Sequence, residues 1–383
     1  MSPWFLRLNT FVFLMGGAAA AAASTPTSVP FTASAWTATG NATFSTREAF
    51  PGGLLNVTSE SEEGYVTLKN REFSNGTIEF DIKPVTDEMP GLRFRQGADG
   101  TADMVYIRVS PDCPASHDCL QYVPLIHGRI LWDMYPQYQS TAPIRVDTWN
   151  HIKLVVSGKR LRVFVNREAT PSLTVDHLEG ELSEGTIALE GKALYANLTI
   201  APGVIDGLSP QALADPAASD PSYLDVWEVA APKPLDHAGE PTLAAEPASG
   251  WTPFHADYAG LMNLARRYPP TVRGAPRQFA WLRTTIVSDH AQTRHVAVGY
   301  LREITVFVNG DKAFAGSNLY NVPASRQVPD GRLSLENGGF DLVLKKGRND
   351  VVVAIDANTP DMRGRYGWGF IMKLDQAAGI TSK

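Results

Sequence analysis

The residues of this chain best suited to chemistry lie between Gly91 and Tyr138, in GLRFRQGADGTADMVYIRVSPDCPASHDCLQYVPLIHGRILWDMYPQY. Arg93, Arg95 and Arg108 offer planar cationic forks. Gln121 offers an amide that donates and accepts, and His127 an imidazole. Tyr106, Tyr122 and Trp132 offer rings with a polar edge. Saccharides are held by such sets, because hydroxyls need planar hydrogen-bond partners and the C–H faces of a sugar need rings. These eight residues are the candidate ligand-binding groups, and Tyr135 and Tyr138 extend the aromatic run. The arginines would also suit a uronic or sulfated sugar, since a guanidinium grips an oxyanion through two parallel bonds. The bland alternative is a solvated sheet face laced with weak ion pairs, such as Glu79 or Asp81 with Arg93.

A reaction is harder to assign. A lyase needs a Tyr or His base with Arg or Gln to neutralise a carboxylate. Tyr106, Arg108, Gln121 and His127 have the right types, without a diagnostic spacing. No Gly-rich phosphate loop, nucleophile elbow or His-rich metal spacing is present. Asp99 and Asp103, beside Gly97 and Gly100, could meet calcium in a loop, but a solvated turn is the commoner use of such residues. No catalytic residue or metal ligand is assigned, and no cofactor is named.

The elements that must position these groups are strands. In GTIEFDIKP, Ile78, Phe80 and Ile82 point one way and Glu79, Asp81 and Lys83 the other. Leu92 and Phe94 then point inward with Arg93 and Arg95 outward. Val105, Ile107 and Val109 point inward with Met104, Tyr106 and Arg108 outward. On this pattern Glu79, Asp81, Arg93, Arg95, Tyr106 and Arg108 share one face of one sheet, with Gln121 and Tyr122 lining it and His127 and Trp132 at its rim. Period two recurs along the chain with no long helical pattern, so the expected fold is all-β, with two β-sandwich (jelly-roll) domains.

The chain has 383 residues and a formal net charge of −6, which gives no general affinity for nucleic acid. Residues 1–23 read as a secretory signal: Arg7 gives the positive start, Leu8 to Met15 the apolar core, and the alanine run to Ala23 the cleavage region. No second membrane candidate follows, so an exported protein, periplasmic or extracellular, is expected. Cys113 and Cys119 are the two cysteines, and in an oxidising compartment a local disulfide is their expected state. Residues 24–201 are expected to form the first sandwich, 202–219 a linker rich in proline and small residues, and 220–383 the second sandwich. In the second, Trp251, Tyr258, Tyr320, Tyr366 and Trp368 could form a platform at a loop edge, although packing suits most of them better.

The run GTIEFDIKP, GLRFR, DMVYIRVSPD, LQYVP, DTWNHIKLVVSGKRLRVFVN, GTIALEG resembles the concanavalin A-like lectin/glucanase superfamily, in its laminin G-like and bacterial 3-keto-disaccharide-hydrolase-like branches. The resemblance covers roughly residues 30–201 and implies a sandwich with a glycan on the concave face of one sheet. Glycosidases of that superfamily carry Glu-x-Asp-x-x-Glu on one strand. Here Glu79-Phe80-Asp81-Ile82-Lys83 ends in Pro84 where the third acid would stand, which speaks against that class of hydrolase. Residues 220–376 are similar to galactose-binding-like jelly rolls through WLRTTI, EITVFVNG and LKKGRNDVVVAI. The resulting expectation is noncatalytic binding of a polysaccharide or glycoconjugate. The alternatives are a hydrolase or lyase on a polysaccharide or 3-keto-sugar at the same face, or a structural module for a partner protein.

Overall fold

The computed structural model describes residues 25–60, 64–85, 88–110, 112–113, 115–234, 240–269, 277–356 and 366–382. The expected signal segment, residues 1–23, lies outside the described residues. The fold is all-β, built from antiparallel sheets; the α-helix Leu264–Arg267 is a single turn. Among the described residues no helix is long and apolar enough to cross a membrane.

The first sandwich packs two sheets. One runs in the order Leu173–Val175, Arg160–Val165, Asn150–Ser157, Gly76–Pro84, Ala193–Pro202, Phe50–Val57, Ala42–Arg47, with Thr27–Ser28 beside Ala193–Pro202. The other runs Arg129–Ile130, Leu120–Ile126, Ala102–Ile107, Gly91–Gln96, Thr186–Glu190, Tyr65–Leu68, Trp36–Ala38, with Gln139–Ser140 beside Leu120–Ile126. The alternation in Gly76–Pro84 is as the sequence predicts: Ile78, Phe80 and Ile82 are buried between the sheets, and Glu79, Asp81 and Lys83 are half-exposed. The second pair of sheets follows. In one, Gly347–Asp356 lies between Gln278–Ser288 and Arg302–Val308 and is buried along most of its length. The other is built on Met262–Asn263, Gly369–Leu374, Gln292–Tyr300 and Gly338–Leu344.

Two departures from the expected arrangement matter for function. First, Gly76–Pro84 belongs to the opposite sheet from Gly91–Gln96 and Ala102–Ile107, so Glu79 and Asp81 do not share a face with Arg93, Tyr106 and Arg108. Alternation fixes inside or outside, not which of two sheets a strand joins. Second, the strands Gly91–Gln96, Ala102–Ile107 and Leu120–Ile126 are buried along their whole length, on both faces. Their outer face is covered by residues from the second half of the chain, so the face expected to hold a ligand is a junction. Leu261, Ala265, Leu301 and Leu333 join the hydrophobic cluster of the first sandwich. The expected linker is also tied down: Thr77 Oγ1 donates to Val204 O at 2.6 Å and Leu213 N donates to Asp176 O at 3.1 Å.

Candidate functional site

The outer face of the Gly91–Gln96 sheet presents Met104, Tyr106, Val123 and Leu125, with Ile130 and Trp132 from the following segment. Tyr320 and Tyr366, from the second half of the chain, pack against this cluster. Between them remains a pocket of ≈ 160 Å³, lined by Met89, Met104, Tyr106, Arg108, Ile130, Trp132, Glu190, Tyr320, Asn321 and Tyr366. Register explains the grouping. Tyr106 is opposite Gln121 on one side and Gly91 on the other, and Glu190 is opposite Gly91 in turn. A Cβ on Gly91 would come within 2.7 Å of the Tyr106 Cβ, so a glycine there is what lets the two strands approach.

A polar clamp lies along this wall. The Tyr106 hydroxyl donates to Gln121 Oε1 at 2.6 Å and accepts from Arg108 Nη2 at 2.9 Å. Arg108 Nη2 also donates to Gln121 Oε1 at 3.0 Å, and Gln121 Nε2 donates to Trp132 O at 3.1 Å. The Arg108 guanidinium lies 5.2 Å from the Tyr106 ring centre and 5.9 Å from that of Trp132, within cation–π range. Its Nε is 3.4 Å from Asp118 Oδ2, on the loop closed by the Cys113–Cys119 disulfide. Trp132 meets the edges of Tyr320 and Tyr366 with ring centres 4.7 and 5.9 Å apart. Arg93 stands over the Tyr65 ring at 4.5 Å and pairs with Glu190.

Of the eight sequence candidates, Tyr106, Arg108 and Trp132 line the pocket, Gln121 bonds to all three from behind, and Arg93 holds Glu190. The other three lie elsewhere. Arg95 has a left-handed backbone (φ 53), and its guanidinium points to Asp103, Ser74 O and Gly158 O. Tyr122 follows Gln121 on one strand and so points to the opposite face. It is fully buried and donates to Asp103 Oδ1 at 2.5 Å. Burial pushes the Asp103 carboxyl up, against the pull of Tyr122 and Arg95. His127 sits on an exposed turn with Nδ1 3.0 Å from Asp99 Oδ2. Asp99 and Asp103 thus do not converge on one loop site. In the second half, Tyr320 and Tyr366 reach the pocket, Trp368 is buried in the core, and Tyr258 stacks on His177. Trp251 lies under Arg283. Met89, Ile130, Glu190 and Asn321 were not singled out. For Glu190 the signal was its outward place in TIALE, but its pairing with Gly91 spans about a hundred residues.

Glu79 and Asp81 find a different partner on the far face. His151 Nδ1 is 2.8 Å from Asp81 Oδ1 and its Nε2 is 3.2 Å from Glu79 Oε2. The bond to Asp81 raises the imidazolium pKa against the effect of burial. Burial works upward on Asp81, and bonds from His151 and Asn197 outweigh it, leaving its carboxyl below the usual value. The raised histidine adds stability that is full below its unfolded pKa of about 6.5 and is lost as pH rises through the folded value. The lowered aspartate adds stability that is full above its unfolded pKa of about 3.9 and is lost as pH falls through the folded value. Replacing His151 with Gln should therefore lower the melting temperature most between about pH 4 and 6.5, and least above the raised histidine pKa. Equal losses at mildly acidic and alkaline pH in a series of thermal melts would contradict this.

Residues 31–201 match the family model described as a 3-keto-alpha-glucoside-1,2-lyase-like domain. No curated protein matches the chain. Among solved structures, the carbohydrate binding module CBM66 from Bacillus subtilis is similar at 20% identity over 43% of this chain and 93% of its own, with a TM-score of 0.32. A beta-glucanase from Bacillus licheniformis is similar at 13% identity over 46% of this chain and 97% of its own, with a TM-score of 0.31. Domain 4 of an extracellular arabinanase from Geobacillus stearothermophilus, solved with arabinotriose, is similar at 14% identity over 44% and 83%, with a TM-score of 0.30. Residues 31–201 are therefore similar to a 3-keto-alpha-glucoside-1,2-lyase-like domain, and they fold as a jelly roll of packed antiparallel sheets.

Proposed function

We propose that this chain is an exported, noncatalytic saccharide-binding protein whose site is the pocket at the junction of its two halves. The observation that carries the reading is the meeting of rings from both halves (Tyr106 and Trp132 with Tyr320 and Tyr366) around the Tyr106–Arg108–Gln121 clamp. Apolar walls with a few convergent polar groups are the general form of a small-ligand site. The sugar-directed family matched by residues 31–201 supports the class of ligand. The Cys113–Cys119 disulfide suits an oxidising compartment. The division into residues 24–201, a 202–219 strap and 220–383 belongs to the same proposal.

A glycan and polysaccharide array on the mature protein tests it, with the same samples checked for released reducing ends and for unsaturated products. Binding without product is the expected result. Arg108→Ala should weaken it about tenfold, since hydrogen bonds to a charged group are worth roughly 1.5–3 kcal/mol. Arg108→Ala binding as tightly as the parent would move the site elsewhere.

One observation favours a second reading, elimination from a keto-sugar. The Tyr106 hydroxyl, a group of the type that can act as a base, accepts a bond from the Arg108 guanidinium at 2.9 Å. His127, on its exposed turn, plays no part in that reading. Unsaturated product that vanishes in Tyr106→Phe would establish it in place of simple binding.

A further inference from the structure

The reading of the pocket as a saccharide site leaves the charge of the occupant open, and the surrounding ion pairs bear on it. Arg108 and Glu190 are the charged residues that line the pocket. Each has a partner of opposite sign behind it. Arg108 is 3.4 Å from Asp118, and Glu190, with 1% of its side chain exposed, pairs with Arg93 at 7%. The lining charges cancel, and so do those behind them. Arg332, which does not line the pocket, stands 5.5 Å from the Trp132 ring centre and shares Asp118 (3.7 Å) with Arg108 and Asp330 (3.6 Å) with Arg326, so this outer shell holds one more cation than acid. Arg326 pairs with Asp330 on the exposed side, where solvent screens it.

The guanidinium of Arg108 is further engaged by Tyr106 and Gln121. An anionic sugar would have to pull Arg108 from these partners while standing near the Glu190 carboxylate. A buried charge without its own counter-charge costs several kcal/mol. A neutral ring needs hydrogen bonds alone, and Met89, Met104 and Ile130 offer its C–H faces apolar walls. The size fits one ring: an apolar cavity of about 150 Å³ takes benzene, and this pocket has ≈ 160 Å³.

Resting on the saccharide reading, we infer that the pocket selects a single uncharged sugar ring and rejects uronic and sulfated rings, contrary to what a cluster of arginines in the sequence suggests. The paired arginines position Tyr106 and Glu190 instead of gripping an oxyanion.

Calorimetric titration of the full chain tests this with trisaccharides capped by glucose, galactose or mannose, against the same trisaccharides capped by the uronate or the sulfated sugar. The best neutral cap should bind at least about tenfold more tightly than its charged counterparts. Its affinity should change little between about 50 and 300 mM salt. Asp118→Asn, at a side chain one-third exposed, frees Arg108 from its counter-charge and should narrow that gap about threefold. Charged caps binding as well as neutral ones or better, with affinity falling as salt rises, would overturn the inference and leave the saccharide reading standing. An unchanged gap in Asp118→Asn would overturn the charge argument. Failure of every cap to bind would overturn both.

Discussion

Asp133→Asn is expected to destabilise the protein by about 3–5 kcal/mol, the usual cost of breaking a buried ion pair by removing one partner. Asp133 is fully buried just after the strand Arg129–Ile130 of the first sandwich, and Arg302, 3% exposed, comes from the second half. Arg302 Nη2 donates to Asp133 Oδ2 at 2.9 Å and to Gly367 O at 2.7 Å, while Gly367 N donates to Asp133 Oδ1 at 2.9 Å. Leu333 N donates to Asp133 O at 2.8 Å. The carboxylate therefore ties two separate stretches of the second half to the first, and the Asp133 main-chain carbonyl ties a third. It also faces a second guanidinium, Arg129, whose pKa burial and the nearby Arg302 push down to about 10 against the pull of Asp133. Asparagine keeps the size and loses the charge, leaving Arg302 and Arg129 buried with repulsion between them. Urea unfolding followed by tryptophan fluorescence measures the effect. A shift under about 1 kcal/mol would mean that water or rearranged side chains compensate the arginines. Asp133→Asn combined with Arg302→Met should recover part of the loss, because a buried pair replaced by uncharged residues costs far less than a pair with one half missing.

The segment that carries this aspartate shows where the sequence was legible. The strands Gly76–Pro84 and Ala102–Ile107 are legible from alternation, because period two tells which side chains face the core between the sheets. Tyr106, Arg108, Gln121 and Trp132 stand out in the sequence because ring, fork and amide types lie close together there. Alternation is silent on which sheet a strand joins, so it cannot separate Glu79 and Asp81 from arginines that lie on the opposite side of the sandwich. It also fails wherever the backbone leaves the extended region. Arg95 (φ 53) and His127 (φ 50) are both left-handed, and neither points where a continuous strand would send it. Tyr122 was separable from Gln121 on parity alone, because neighbours on a strand face opposite ways. The remaining walls, Glu190, Tyr320 and Tyr366, come from positions far along the chain, and a single sequence holds no signal for which distant loop covers a sheet face.

That distant loop carries the second large effect. Tyr320→Ala is expected to weaken saccharide binding about thirtyfold, roughly 2 kcal/mol, the size typical of an aromatic anchor at the centre of a binding site. Tyr320 is half-exposed and stands edge-on to Trp132, with the Arg326 guanidinium 4.4 Å from its ring centre. Its neighbour Asn321 also lines the pocket, so the loop forms a wall that the first sandwich does not supply. The half-exposed ring should cost little stability when removed, whereas the largely buried Trp132 would cost about 3–5 kcal/mol and confound a binding assay. Tyr320→Phe keeps the ring and should bind within about threefold of the parent, separating stacking from hydrogen bonding by the hydroxyl. Calorimetric titration of both variants, each with an unshifted melting temperature, is the decisive comparison. Parent-like affinity in Tyr320→Ala would show that the first sandwich binds alone and that the second half only shields its outer sheet. A loss equal in the Phe and Ala variants would move the contribution from the ring face to the hydroxyl. Loss in Ala with retention in Phe would make the second half a working wall of the site, and would explain why a sheet rich in arginine and tyrosine is buried at a junction instead of facing water.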